Sequence, residues 1–348
     1  MAAKKILLAG LFLSEKNKHK IYRTAADQLA ELLGKNRYPI IKTSTQPNRL
    51  LRLLDTCYTI VIKSPQYNIA IVPFYGGYRS LVLEAIICFL VKLLGKKLIL
   101  VIHGGGIPMF MKAKSSRYLK VLHTADLLVA PSNYLIQELH QYGLQIELIE
   151  NVLNLKEYQF HLKENFKPNL FWMRTFEDVY NPLMAVRVLA LLQKDFPQSK
   201  MLMAGRDAGM LIATKELADK LQVLDSIAFP GYVTNDDKNK IADEFDIYLC
   251  TNSIDNAPVS LIEMMALGVV VVSTNAGGIP YIVINNYNGL LVDIDADKAM
   301  ADAIKLIIEN SGMAKLLVGN GLKTSKQYDE EFVLQKWQSV FARFGFAE

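Results

Sequence analysis

Residues Asp255 to Asn275 read DNAPVSLIEMMALGVVVVSTN, and this stretch decides the fold. The apolar run IYLC (Ile247 to Cys250) before it and VVVV (Val269 to Val272) near its end both read as strands. A strand, a tight polar loop and a short helix closed by Gly268 make half of a βαβ unit. Asn256 has the chemistry of an N-cap and Pro258 fits inside the first helical turn. The N–H groups of Ala257, Val259 and Ser260 and the positive end of the helix dipole are therefore expected to face the loop. Such a helix start binds anions. Asp255 stands before the helix and Glu263 about two turns later, with seven residues between them. The two carboxylates can bracket a ligand whose phosphates rest on the helix start, each accepting from hydroxyls at a different distance. The plainer reading of the same residues is a packing unit with a solvated acid.

A chain of 348 residues exceeds the size at which one core keeps growing, so two domains are expected. Hydrophobic residues at 51% and charged residues at 21% describe a well-packed globule. Charge is uneven: residues 1 to 165 hold 22 Lys and Arg against 11 Asp and Glu, whereas residues 166 to 348 hold 17 against 23. The first half suits an anionic surface or acceptor. Nucleic acid is not the expected partner, because no nucleic-acid motif or arginine-rich recognition helix is present. A phosphorylated lipid or an anionic membrane surface fits better. Cys57, Cys88 and Cys250 are far apart in apolar settings, which gives neither a disulfide framework nor a zinc spacing. KKILLAGLFL is too short for a signal peptide and continues as a first strand. The expected location is cytoplasmic, with peripheral attachment to the inner face of the membrane. Leu81 to Leu94, interrupted by Glu84 and Lys92, is too short to span a bilayer and reads as a core or an interfacial helix.

Along the chain, strand-like runs alternate with helical ones, as in a doubly wound α/β sheet. KKILLAG (Lys4 to Gly10) is a buried strand, followed by the basic loop Ser14 to Lys20 and a helix from about Tyr22 to Leu33. Lys16, Lys18 and Lys20 in that loop suggest a phosphate-bearing acceptor; a solvated surface loop is the alternative. His103 ends the strand KLILVIH and precedes Gly104, Gly105 and Gly106, which permit close approach of a ligand to the backbone. Ser132 suits the N-cap of a following helix. Periodicity lapses after LIENVLNLKEYQF, and the polar, lysine-rich stretch 161–169 reads as an interdomain linker. DIDAD (Asp293 to Asp297) lacks the glycine and terminal glutamate of a calcium loop and directly precedes a helix. Helix capping and dipole complementarity account for it, and no metal site is expected.

The acidic pair resembles the E-x7-E motif of retaining nucleotide-sugar glycosyltransferases, family 4, which have the GT-B fold. The likeness continues through GGIPYIV (Gly277 to Val283) and NGLLV (Asn288 to Val292) at the family's spacing. It departs at Asp255, where the family usually has Glu. Arg174 resembles the arginine of the family's G-R-x-x-x-x-K-G signature, whose glycine is replaced here by Met173 and whose lysine is missing; Arg206 is the substitute cation considered. The resemblance implies two Rossmann-like doubly wound domains facing across a cleft. It divides the chain into an acceptor domain at residues 1–160, the linker 161–169 and a donor domain at 170–328, with a terminal helix (329–348) crossing back to the first domain.

It further implies that Arg174 and the N–H groups of Val259 and Ser260 hold a donor diphosphate, beside Asn256, Ala257 and Pro258. Glu263 then meets the ribose, Asp255 and His103 the sugar, and the backbone near Gly231 and Tyr232 the base. Lys16, Lys18, Lys20, Gly104 and Gly105 face the acceptor. The activity expected is retaining, metal-independent glycosyl transfer of the hexosyltransferase type. The sugar would pass from a nucleotide sugar to a glycan or lipid-linked acceptor, in surface polysaccharide or glycolipid synthesis, with no cofactor. The alternatives are a GT-B sugar-nucleotide epimerase and a donor-binding or scaffold subunit without catalysis.

Overall fold

The computed structural model describes residues 5–12, 24–77 and 80–346. The chain divides into two compact units, one running to Val152 and taking up the chain again from Glu330, the other Leu153–Asp329. Among the described residues each unit is built on one six-stranded parallel sheet.

In the first unit the strands are β1 (Lys5–Leu11), β2 (Ile40–Ser44), β3 (Tyr67–Phe74), β4 (Lys97–Ile102), β5 (Leu127–Ala130) and β6 (Ile146–Leu148), in the order β2-β1-β3-β4-β5-β6. Its helices are α1 (Ala25–Lys35), α2 (Arg49–Ile62), α3 (Ser80–Leu93), α4 (Ile107–Leu122) and α5 (Asn133–His140). A parallel sheet is covered on both faces, and alternate strand residues show it. Leu7, Ala70 and Leu100 pack with Ile60, Cys88 and Leu135 from α2, α3 and α5, whereas Ile6, Ile71 and Ile99 pack with Leu33 of α1. The first helix starts at Ala25 rather than near Tyr22, because Thr24 caps it and Asp27 completes a capping box. Ser132 caps α5 as its sequence suggests.

The second unit holds β7 (Asn169–Met173), β8 (Lys200–Ala204), β9 (Ile227–Gly231), β10 (Ile247–Cys250), β11 (Val270–Thr274) and β12 (Leu290–Val292), ordered β12-β11-β10-β7-β8-β9. Around it lie α6 (Pro182–Leu192), α7 (Leu211–Lys220), α8 (Asn235–Glu244), α9 (Val259–Leu267), α10 (Asp297–Glu309) and α11 (Ser311–Ser325). The chain winds from β7 out to β9, then returns to place β10 on the other side of β7. The carboxyl ends of β7 and β10 therefore flank the topological switch point, where open α/β sheets form their ligand crevice.

The terminal helix α12 (Glu330–Arg343) belongs to the first unit. Val333, Trp337, Val340 and Phe341 are buried against Ile6, Leu8 and Leu33, and Lys336 and Arg343 pair with Glu150 and Glu147.

The stretch 161–169 is not a linker. The division falls between Val152 and Leu153, and 161–169 is fastened into the second unit. Lys163 pairs with buried Asp246, which also accepts from the Lys167 N–H, and Phe166 sits in the core. These three tie the stretch down, while His161 pairs with Asp243 at the surface and most of the other residues stay exposed, so its polarity reflects both pairing and solvent.

Candidate active site

The loops leaving β7 and β10 bring Arg174 and Asp255 into contact. Arg174 Nη2 donates to Asp255 Oδ2 at 2.8 Å, and Asn252 Nδ2 donates to the same oxygen at 2.7 Å. Asp255 Oδ1 accepts from the Asn256 N–H at 2.7 Å. The guanidinium also lies 5.3 Å over the Tyr180 ring. Burial is the largest single influence and works against the arginine charge, but the Asp255 carboxylate together with Tyr248, Cys250 and Tyr180 outweighs it and holds the guanidinium pKa above its ordinary value. Arg174 Nε and Asn252 Oδ1 are nevertheless buried without a hydrogen-bond partner, the only such side-chain atoms among the described residues. Buried polar groups are normally paired, so two orphans within one cluster point to a missing ligand or water.

Two glycines hold the acidic loop. A Cβ on Gly277 would stand 2.2 Å from the Asp255 carbonyl oxygen, and one on Gly278 1.7 Å from that of Asn256. Only glycine permits this approach, and it lets the Gly278 N–H donate to Asp255 O at 2.8 Å. In the NGLLV segment, buried Asn288 is structural. It accepts from the Ile284 N–H at 2.7 Å and donates to Ile282 O at 2.9 Å.

Asn256 is not the N-cap of α9. The helix begins at Val259, its cap is Pro258 in an extended conformation, and no side chain caps it. Proline lacks the N–H and resists the helical turn before it, which moves the start downstream of Ala257. The backbone N–H groups of Val259 and Ser260 remain at the first turn. Ser260 is buried, its hydroxyl bonded to Tyr248 Oη at 2.9 Å; the same tyrosine reaches Met173 O at the end of β7.

Glu263, about one turn into α9, is enclosed. Its Oε1 accepts from Lys238 Nζ at 2.7 Å and from Tyr158 Oη at 2.9 Å, and Lys238 also donates to Asn235 Oδ1. Lys238 is itself buried. The sequence reading missed both partners of Glu263. Lys238 carried a signal, because it stands at helical spacing from Ile241, Ala242 and Phe245 on the inward face of α8. Tyr158 and Asn252 carried none.

Arg206 is exposed after β8, Gly231 ends β9 with φ 79°, and Tyr232 next to it is exposed. Arg206 makes no side-chain hydrogen bond or ion pair with the Arg174 cluster among the described residues. In DIDAD, Asp295 accepts from Asn181 Nδ2 at 2.7 Å and Asp297 takes a two-point contact from Arg187. The cap of α10 is Ala296, without a side-chain bond. Side-chain capping is therefore not the role of these aspartates; Asp297 complements the dipole from within the first turn, and both are held by basic or amide partners.

In the first unit His103 follows β4, its N–H donating to Phe74 O at 2.9 Å and its ring stacking on Tyr75 at 5.7 Å. Burial pushes its imidazole down to about 4, so it is neutral at pH 7. Gly104 is required next to it, since a Cβ there would lie 2.0 Å from the Tyr75 carbonyl oxygen. Gly105 is half-buried in the same turn. Lys16, Lys18 and Lys20 lie outside the described residues.

Residues 156–324 match the family described as Glycosyl transferases group 1, and residues 13–153 match Glucosyltransferase 3-like, N-terminal domain. The second unit belongs to the Glycosyl transferases group 1 family, which it matches over nearly its whole length. The chain is 24% identical over 197 residues to the Campylobacter jejuni N,N'-diacetylbacillosaminyl-diphospho-undecaprenol alpha-1,3-N-acetylgalactosaminyltransferase, covering 55% of this chain and 52% of that protein. The chain thus spans about half the length of the curated relatives it matches. Among solved structures it is similar to Anabaena Alr3699/HepE in complex with UDP (17% identity, 97% and 100% of the two chains, TM-score 0.74). It is also similar to sucrose-phosphate synthase from Thermosynechococcus elongatus (17%, 98% and 99%, TM-score 0.78). At that identity the likeness concerns fold, and the fold is GT-B.

Proposed function

We propose that this glycosyltransferase moves a sugar from a nucleoside-diphosphate sugar to a glycan or lipid-linked acceptor, with retention of anomeric configuration and without a divalent metal. The observation that carries the reading is the half-buried Arg174–Asp255 pair at the switch point, with Arg174 Nε unpartnered and the α9 start on the following loop. A guanidinium presents its donors as a planar fork and suits a diphosphate. Backbone N–H groups of Val259 and Ser260 add donors and the positive helix end. Together they supply the charge stabilisation that a departing diphosphate needs.

In the step proposed, the bond from the anomeric carbon to the diphosphate oxygen breaks and the acceptor oxygen bonds the same carbon from the same face. The acceptor proton passes to the leaving phosphate. Asp255 contacts the sugar and Glu263 the ribose. The names of the C. jejuni relative and of the UDP-bound neighbour support UDP-sugars and diphospho-undecaprenol glycans as the first substrates to try.

The test is transfer from UDP-sugars in the presence of a chelator, with the product anomer read by NMR. The expected result is undiminished turnover and the same anomeric configuration as the donor. An inverted product would overturn retention, and activity restored only by Mg²⁺ or Mn²⁺ would overturn metal independence.

A further inference from the structure

We propose that the outward faces of α2 and α3 form the surface by which this chain docks on an anionic lipid bilayer. The two helices carry the consecutive crossovers β2 to β3 and β3 to β4, and they pack against each other on one face of the first sheet. Their inward residues, among them Ile60, Cys88 and Val91, enter the core. Opposite these, α2 displays Leu50, Leu54, Tyr58 and Ile62, at spacings of four residues. The adjoining helix displays Val82, Ile86, Phe89 and Leu93, at spacings of four, three and four. Each of the eight is between 39% and 69% exposed. Single exposed apolar residues are ordinary, but two regular stripes on neighbouring helices form a patch of the kind that meets a partner or a membrane.

Charge selects the occupant. Arg49 and Lys63 are exposed at the two ends of α2 and Arg52 is half-buried on it, whereas Asp55 is its single acid. None of the three cations is ion-paired among the described residues. Glu84, the single acid of α3, is turned inward onto the N–H groups of Tyr75 and Gly76. Two copies of such a face would oppose cation to cation, whereas anionic headgroups neutralise it while acyl chains take the apolar stripes. No helix among the described residues is long and apolar enough to cross a membrane, so these helices lie in the interfacial plane. The choice of a bilayer rests on the lipid-linked acceptor proposed above. Docking is measured without donor or acceptor, so its failure is separable from failure of that reading.

The experiment is co-sedimentation of the full chain with vesicles of phosphatidylglycerol and phosphatidylethanolamine, against vesicles of phosphatidylcholine alone. Binding at least about tenfold stronger to the anionic vesicles is expected, falling as salt rises. Leu54→Ser with Phe89→Ser should weaken it about a hundredfold, from the loss of two buried apolar side chains. Arg49→Ser with Lys63→Ser should flatten the salt dependence. All four positions are exposed, so the thermal transition should not move. Unchanged sedimentation of the Leu54→Ser/Phe89→Ser variant, or equal binding to both vesicle types, overturns the proposal. So does a wild-type dimer that the same variant converts to monomer, since a second copy would then cover the face.

Discussion

Replacing Lys238 by methionine preserves most of the side chain's length and removes its charge. Glu263, buried on α9, then keeps Tyr158 as its remaining side-chain donor. At 2.7 Å, and with an effective dielectric of about 20, the bare attraction in the pair is about 6 kcal/mol. The two side chains are only 10% and 12% exposed, so desolvation cancels much of that gain. Loss of one partner of such a pair is expected to destabilise the second unit by about 3 kcal/mol, because the carboxylate stays buried without compensation. Trp172 lies in the second unit and Trp337 in the first, so fluorescence in a Trp337→Phe background reports the second unit's unfolding. With a urea slope of about 2 kcal/mol/M, the midpoint should fall by about 1.5 M. Glu263→Gln alone should cost less, and the double variant should recover part of the loss, giving a coupling of at least about 1.5 kcal/mol. Costs that add within about 0.5 kcal/mol would refute the claim that the two charges act as a unit.

Arg174→Ala should slow transfer at saturating donor by one to three powers of ten, about 2 to 4 kcal/mol of lost stabilisation; an unchanged rate would shift the diphosphate role to Arg206. Gly278→Ala would set a methyl 1.7 Å from Asn256 O and displace the acidic loop, so UDP affinity by calorimetry should fall at least about tenfold. Gly319→Ala, which meets nothing within 4 Å, is the neutral control, and equal affinity in both would remove the loop from the donor site. The depressed His103 pKa predicts a pH dependence of stability. Between about 6.5, its unfolded value, and about 4 the unfolded chain binds the extra proton. Its contribution is therefore complete above about pH 6.5 and is lost, up to about 3 kcal/mol, as pH falls toward 4. Wild-type and His103→Gln unfolding curves should converge over that window, and parallel curves would contradict the assignment.

The sequence by itself determined the architecture. Short apolar runs such as IYLC and VVVV, bounded by polar loops, read as strands buried on both faces, and their alternation with helical periodicity points to doubly wound parallel sheets. It also singled out Asp255 and Glu263, because carboxylates before and on a helix between two buried strands can bracket a ligand at the helix start, and Arg174 through the resemblance of its surroundings to a family signature. Local chemistry misled it where polar groups find partners far along the chain. The stretch 161–169 looked like a linker because its lysines find Asp246 only after folding, and Asn256 looked like a cap because proline's effect on the helix start is conditional on the backbone around it.

Only the tertiary structure decided which charges meet. The contact of Arg174 with Asp255 joins residues 81 positions apart, and Lys238 reaches Glu263 from a different helix. The same holds for the outward stripes of α2 and α3, since a periodic apolar helix has the same sequence whether its second face is covered or bare. Periodicity is a property of neighbours along the chain, whereas pairing and exposure depend on how distant segments are stacked, which local spacing does not encode.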